Sequence, residues 1–291
     1  TAATQPARTA LLPSLVPRGN LVNAVALHST IFQTSQVTGP ALAGAAIATV
    51  GLGPAYLLNG VLFLAAMAAI IAVRVPMPSR ETYEDPWRSF THGMAFVRSR
   101  PVIISLLVLD LGQTILGSYR ALLPIFAEML GAGPAGYGVL SAAPGVGSVV
   151  GAVVILALGD MKYKGLYTVF AILGYCVALV VLAQAPWFLL AVVAAGLLGT
   201  ANSVQVIPRN SVILALSPAG LRGRVEAFRT MLSGGGPPIG YAFSGAMAAM
   251  MGAPLALVVG GIACAVLVAG LGIVHRELRD PDLGATTRVP T

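Results

Sequence analysis

The chain has 291 residues, of which 57% are hydrophobic and only 9% are charged, and its mean hydropathy is +0.86. A soluble globular domain carries roughly 25% charged residues, so this composition excludes one, and the high apolar content excludes intrinsic disorder. The chain contains 34 glycines and 20 prolines, and membrane helices contain both residues more often than soluble helices do. The sequence therefore predicts an all-α membrane protein that crosses the bilayer several times.

The predicted membrane spans follow from long stretches without charge. Residues 19–73, 165–208 and 230–275 carry no charged side chain. Each stretch is too long for one span of about 20 residues and contains an internal Gly or Pro break, so each predicts a hairpin of two helices. The first hairpin consists of spans at 23–50 and 54–73, and two further spans are predicted at 101–127 and 137–158. The total is eight.

The basic residues indicate the orientation of these spans. Of the 17 Lys and Arg residues, all but Arg120 and Arg209 lie in connectors on one side of the membrane or in the two ends of the chain. Cytoplasmic loops of membrane proteins are enriched in Lys and Arg. Both ends of the chain are therefore expected in the cytoplasm, with the chain in the bacterial inner membrane. The same distribution of the +7 net charge argues against a nucleic-acid partner.

An internal repeat predicts how the spans are grouped. Similar features recur at offsets of 197 to 202 residues, as in Arg8/Arg209, Pro17/Pro218, Gly39-Pro40/Gly236-Pro237, Pro54/Pro254 and Arg74/Arg276. The second copy contains six predicted spans and the first only two, so we expect about four spans to be missing before Thr1. Two similar six-helix halves are typical of major facilitator transporters. The alternative is a chance alignment of common Gly, Pro and Arg residues.

This grouping predicts four segments. They are the end of an N-terminal six-helix half at 1–75, a cytoplasmic central loop at 76–100, a complete C-terminal six-helix half at 101–276, and a cytoplasmic tail at 277–291.

Several motifs resemble those of the major facilitator superfamily, most closely its enterobactin-exporter and macrolide-efflux branch, a group of drug:proton antiporters. They are the Leu12–Pro17 segment, Asn23–Leu27, Gly39-Pro40 followed by Gly44, Leu123–Ala127, Gly136–Gly138, Arg209–Ser211 and Ser217–Val225. The resemblance covers nearly the whole chain, as helices five to twelve of twelve. It implies that Gly39, Pro40 and Gly44 belong to the antiporter motif, which favours export.

Asp110 is the candidate for proton coupling, because it is the only acidic residue deep inside a predicted span. A charged group at this depth is costly and is usually retained for function, and burial favours the neutral carboxyl group, so Asp110 could take up and release a proton near neutral pH. Gln113 and Thr114 share its helix face at i+3 and i+4. The alternative role of Asp110 is a structural ion pair or hydrogen bond between helices.

The remaining candidates fall into three groups. Polar side chains within spans are the candidate substrate contacts, alongside the alternative of ordinary interhelical hydrogen bonding: Gln33, Gln36, Gln113, Thr114, Asn202 and Gln205. Residues that allow a helix to bend are the gating candidates, alongside the alternative of tight packing: Gly39, Pro40, Gly44, Pro208, Gly236 and Pro237. Charged residues near the cytoplasmic ends are the gate candidates, alongside a plain positive loop: Asp160, Arg209, Arg222, Arg224 and Glu226. Arg120 is expected to pair with Glu128, to extend to the outer surface or to contact substrate.

These observations predict a secondary transporter and not an enzyme. The three histidines lie far apart, and neither a metalloprotease motif nor a phosphate-binding loop occurs in the sequence. No cofactor is expected, and the energy is expected to come from an ion gradient. The predicted activity is proton-coupled efflux of a drug or siderophore by alternating access, with the lipid bilayer, protons and a small-molecule substrate as partners. The alternatives are an importer of a small solute, or a truncated membrane protein that does not transport.

Overall fold

The computed structural model describes residues 35, 38, 39, 42–47, 49–72, 94–159, 163–217 and 221–275. Within these residues the protein is helical, with short turns and no strands. Its α-helices are α1 (Leu52–Ala72), α2 (Pro101–Leu116), α3 (Leu123–Met129), α4 (Gly133–Leu158), α5 (Lys164–Ala183), α6 (Phe188–Leu216), α7 (Arg222–Met251) and α8 (Ala253–Val274). Residues 42–47 and 94–98 are also helical. The all-α prediction is confirmed.

Six segments among the described residues are long and apolar enough to cross a membrane. They are α1, the segment formed by α2 and α3, α4, α5, most of α6, and α8. The 30-residue helix α7 is long enough as well, but its first turns carry three arginines and its middle is rich in glycine and serine, so its hydropathy is lower. The predicted first span, 23–50, lies mostly outside the described residues.

The third predicted span is interrupted, whereas the sequence predicted a continuous helix over 101–127. α2 ends at Leu116, and a 3₁₀ turn over Arg120–Leu122 precedes α3. Pro124 lies in the first turn of α3, where its missing N–H is not needed. The hydroxyl group of Tyr175 donates a 2.8 Å hydrogen bond to the carbonyl oxygen of Gly117, which the end of α2 leaves without a helical partner. Pro124 therefore favours the start of a new helix after the break, and the hydrogen bond from Tyr175 stabilises the end of α2 before it.

Close glycine contacts join α4 to α6. A methyl group placed on Gly199 would overlap the backbone carbonyl of Pro144, so only glycine allows this separation of the two helices. Two hydroxyl groups cross the same interface: Thr200 Oγ1 donates to the Gly147 carbonyl at 2.9 Å, and Ser148 Oγ donates to the Gly199 carbonyl at 3.2 Å. Close packing and hydrogen bonding together fix α4 against α6.

The buried side chains of residues 94–275 form two clusters. The first lies around the interrupted span and includes Tyr119, Leu122, Phe126, Leu140, Leu179, Leu198 and Leu257. The second lies around the first half of α2 and includes Ile103, Leu106, Leu109, Ile172, Val212, Cys264 and Val268. The two cysteines, Cys176 and Cys264, are free and buried, as expected for small core residues. α2, α4, α5, α6, α7 and α8 therefore pack into one bundle with a polar strip along α2 and α6.

Candidate functional site: a polar network beside a cavity

A buried ion pair joins α2 to α6. The carboxylate of Asp110 contacts the guanidinium group of Arg209, whose side chain is only 2% exposed, while that of Asp110 is 15% exposed. Isolated charges in a membrane interior are costly, and pairing them lowers that cost. Each member of this pair therefore makes the burial of the other possible. Arg229 on α7 is close enough to act electrostatically on both partners.

Three amide side chains extend the pair along the interface between α2 and α6. Arg209 Nη1 donates to Gln205 Oε1 at 3.2 Å. Asn202 Oδ1 accepts from Gln205 Nε2 at 3.5 Å and from Gln113 Nε2 at 3.4 Å. The last two bonds are longer than the usual 2.7–3.2 Å range, so they are weak and readily exchanged. The result is a continuous polar chain from Asp110 to Gln113.

The end of this chain opens into a cavity of about 150 Å³. Side chains from α2, the interrupted segment, α4, α5, α6 and α7 line it: Gln113, Thr114, Ser118, Tyr119, Arg120, Pro144, Ser148, Tyr175, Asn202, Pro237 and Tyr241. Gln113 and Asn202 belong to both the amide chain and the cavity wall. The ion pair and the cavity are therefore connected by two shared side chains.

The structure brings five of the predicted polar residues into this site. Asp110, Gln113, Asn202 and Gln205 lie in the network, and Thr114 lines the cavity and faces Gly236 of α7. The other two predicted substrate contacts, Gln33 and Gln36, lie outside the described residues.

The predicted gating residues differ in their surroundings. Pro208 directly precedes Arg209 inside α6, and Pro237 lines the cavity, although α7 continues as a helix through Gly236-Pro237-Pro238. Gly44 lies against α4: a methyl group placed on it would come within 2.6 Å of the Gly138 Cα atom. A methyl group on Gly39 would meet no described atom within 4 Å. Pro40 lies outside the described residues.

The contacts of the gate candidates differ from the predicted grouping. Arg209 contacts Asp110 and Gln205, whereas Glu226 pairs with Arg229 three residues later on α7. From the sequence, Arg209 is grouped with Glu226 among the gate candidates near the cytoplasmic ends, whereas in the structure Arg209 lies within α6, which continues to Leu216. Arg222 and Arg224 lie in the first turn of α7 and not in a loop. Their side chains and Asp160 lie outside what the structure describes.

Sequence reasoning missed the aromatic part of the cavity. Tyr119, Tyr175 and Tyr241 line it, and the sequence did offer a signal in the positions of the last two, inside uncharged stretches. A tyrosine within a span needs a partner for its hydroxyl group. Arg120 also lines the cavity, and its guanidinium lies 5.9 Å from the centre of the Tyr119 ring. The expected ion pair of Arg120 with Glu128 is not found among the described contacts.

Apolar spanning helices, an interrupted span and a buried charged pair beside a cavity are features of one class of protein: multi-pass membrane transport proteins. A model of one family within that class, described as transmembrane secretion effector, matches residues 1–289, and the chain belongs to this family.

Curated relatives of the chain are bacterial exporters. The enterobactin exporter EntS of Shigella boydii serotype 18 is 27% identical over 246 residues, which cover 84% of this chain and 59% of the exporter. EntS of Escherichia coli O1:K1 matches with the same identity and coverage. The chain thus spans less than two thirds of the length of these relatives. Family and relatives indicate a transporter and not an enzyme, in the bacterial inner membrane.

Proposed function

We propose that the chain takes part in secondary active export of a small molecule, a drug or siderophore, driven by protons. The observation that carries the proposal is the Asp110–Arg209 pair, which is buried in the bundle and connected to the cavity through Gln205, Asn202 and Gln113. The export direction rests on the family and on the exporters among its relatives. The substrate occupies the cavity between α2, α6 and α7.

In this proposal Asp110 is the proton carrier. When the carboxylate binds a proton it becomes neutral, and Arg209 loses its counter-charge while it remains buried. An unpaired buried charge is costly, so Arg209 must find another partner or reach water. Either movement pulls on Gln205, which Arg209 holds through Nη1, and therefore on the two long bonds to Asn202 Oδ1. Proton uptake thus changes the cavity wall.

Alternating access then follows from two arrangements of this network. In one, Asp110 is ionised and binds Arg209; in the other, Asp110 carries a proton and the network is open. Each arrangement favours a different orientation of the transporter, and the proton gradient shifts the population between them. The basic connectors imply that both ends of the chain face the cytoplasm, so substrate enters from that side.

Transport by inside-out membrane vesicles tests this proposal. Vesicles from cells that produce the full-length protein are given an acidic interior, and uptake of labelled enterobactin and of ethidium is measured. We expect gradient-dependent uptake of at least one probe. We expect Asp110→Asn to lower uptake to the level of vesicles without the protein.

Glu128→Gln is the matched control, because Glu128 is an exposed acidic residue at the end of the same interrupted span. Its uptake should equal that of the unaltered protein. If uptake by the Asp110→Asn variant depended on the gradient as before, Asp110 would not be the residue that couples transport to protons. Failure to take up either probe would count against export of these two substrate classes.

A further inference from the structure

The cavity has a positive lining. Among the described residues that line it, Arg120 is the only one with a formal charge, and no acidic side chain is present. Asp110 is bound to Arg209, and no described ion pair joins Arg120 to Glu128. The planar guanidinium of Arg120 lies over the Tyr119 ring, and a guanidinium group in this position retains edge N–H donors for a carboxylate.

The wall beside this charge is aromatic. Tyr119 and Tyr175 meet edge to face, with ring centroids 6.3 Å apart and an interplanar angle of 62°, and Tyr241 of α7 lines the same cavity. Tyr175 is held in place by its hydrogen bond to Gly117. The cavity volume is about 150 Å³, which is roughly the volume that accommodates a benzene ring. These side chains therefore provide space for one aromatic ring of a ligand, whether or not the ligand is larger.

Two buried polar atoms in the lining have no hydrogen-bond partner among the described residues. They are Gln113 Oε1, on a side chain that is 4% exposed, and Ser118 Oγ, on a residue that is 7% exposed. Buried polar atoms in proteins are nearly always hydrogen-bonded, so these two indicate a ligand group. The Gln113 oxygen only accepts, which calls for a donor such as a hydroxyl group on the ligand.

We propose that this cavity selects anionic aromatic molecules that carry a hydroxyl group. The ligand's carboxylate or other acidic group binds Arg120, its ring packs against Tyr119 and Tyr175, and its hydroxyl group donates to Gln113 Oε1. This assignment rests on the proposed function, since it names the substrate class of the same site, and it goes further by excluding cationic drugs.

Binding to the full-length protein in lipid nanodiscs tests the assignment without transport. The probes share one ring and differ in charge: salicylate is an anion, salicylamide is neutral and 2-hydroxybenzylamine is a cation. We expect salicylate to bind about tenfold more tightly than salicylamide and 2-hydroxybenzylamine not to bind measurably. Arg120→Gln should remove the preference for salicylate and leave salicylamide within about twofold of its original affinity. Arg120→Lys should retain part of the preference.

Arg98→Gln is the matched control, because Arg98 is exposed and does not line the cavity. It should bind all three probes as the unaltered protein does. Equal binding of the three probes, or an equal loss for all three in Arg120→Gln, would overturn the assignment. The result is distinct from that of the vesicle experiment: export without preference for anions refutes the substrate class alone, whereas charge-selective binding without gradient-dependent uptake refutes proton-coupled export alone.

Discussion

Helix α1 and the bundle of residues 94–275 have similar compositions but opposite surroundings. The apolar 18-residue window of α1 has a mean hydropathy of 2.0 and none of it is buried within the described structure, whereas the windows of the α2–α3 segment and of α5 are each 50% buried. The bundle contains close glycine contacts, interhelical hydrogen bonds and a charged pair. High hydropathy therefore predicts a spanning helix in both regions, whereas the described contacts between helices of the bundle are made by small and polar residues.

The largest effect is expected from the glycines that set helix separation. Gly199→Leu forces a whole leucine side chain into space occupied by the Pro144 backbone. Because inserting extra methylene groups already costs about 1–3 kcal/mol and a backbone carbonyl cannot rotate away, we expect the loss to exceed the roughly 3–5 kcal/mol of an unpaired buried charge. We expect the bundle to lose its thermal transition in detergent. Gly60→Leu in α1 meets no described atom within 4 Å and should leave the transition unchanged. Equal melting temperatures for the two variants would contradict the packing described for α4 and α6.

A somewhat smaller effect is expected from breaking the buried pair. Arg209→Met leaves Asp110 without its counter-charge, and removing one member of such a pair costs about 3–5 kcal/mol. Arg209→Met combined with Asp110→Asn should recover a large part of that loss. The pair formed by Glu226 and Arg229, in which the Glu226 side chain is 55% exposed, is the contrast, since Glu226→Gln should change stability by less than about 1 kcal/mol. Unfolding in mixed detergent measures all three variants, and a double variant no more stable than Arg209→Met would argue against the pair.

The contact of Gly44 with α4 tests how the first region is attached to the bundle. Gly44→Val places two methyl groups against the Gly138 backbone, and we expect a loss of about 1–3 kcal/mol in that contact. Spin labels at Leu62 and Val153, both exposed, should show a longer and broader distance distribution. Gly39→Val has free space in the described structure and should retain the original distribution. Identical distributions in the two variants would show that Gly44 does not join the regions.

The smallest effect is expected from single hydroxyl groups. Tyr175→Phe removes the hydrogen bond to the Gly117 carbonyl, which is worth about 1 kcal/mol. Tyr56 on α1 is 67% exposed, so Tyr56→Phe should be neutral. Thermal unfolding of the two variants side by side measures the difference. A neutral Tyr175→Phe would mean that the broken span does not depend on Tyr175.

The sequence was sufficient for the helical class and for part of the site. Charge gaps predicted the spans because a charged side chain in lipid is costly, and the same argument selected Asp110. The i+3 relation then placed Gln113 on the same face as Asp110, and the structure agrees. Local spacing of this kind is visible in sequence because helix geometry is fixed.

The remainder of the site depends on contacts between distant segments. Asp110 and Arg209 are almost 100 residues apart in sequence, and only the packing of α6 beside α2 brings them together. The break after Leu116 was not predicted, because Gly117 and Pro124 also occur in continuous membrane helices, and the stabilising partner, Tyr175, comes from α5. Tyr119, Tyr175 and Tyr241 were not selected as candidates from the sequence, so the aromatic wall was missed.

The interruption after Leu116 also divides one long helix dipole into two shorter ones. The carbonyl end of α2 carries a partial negative charge of about half an elementary unit, and this end lies inside the membrane, next to the cavity. Arg120 follows within one turn of that end, where a cation is stabilised by the macrodipole. A continuous helix would place no such partial charge there. No carboxylate lines the cavity among the described residues, so the break in the backbone supplies part of the negative charge that helps to keep a guanidinium group in the cavity wall.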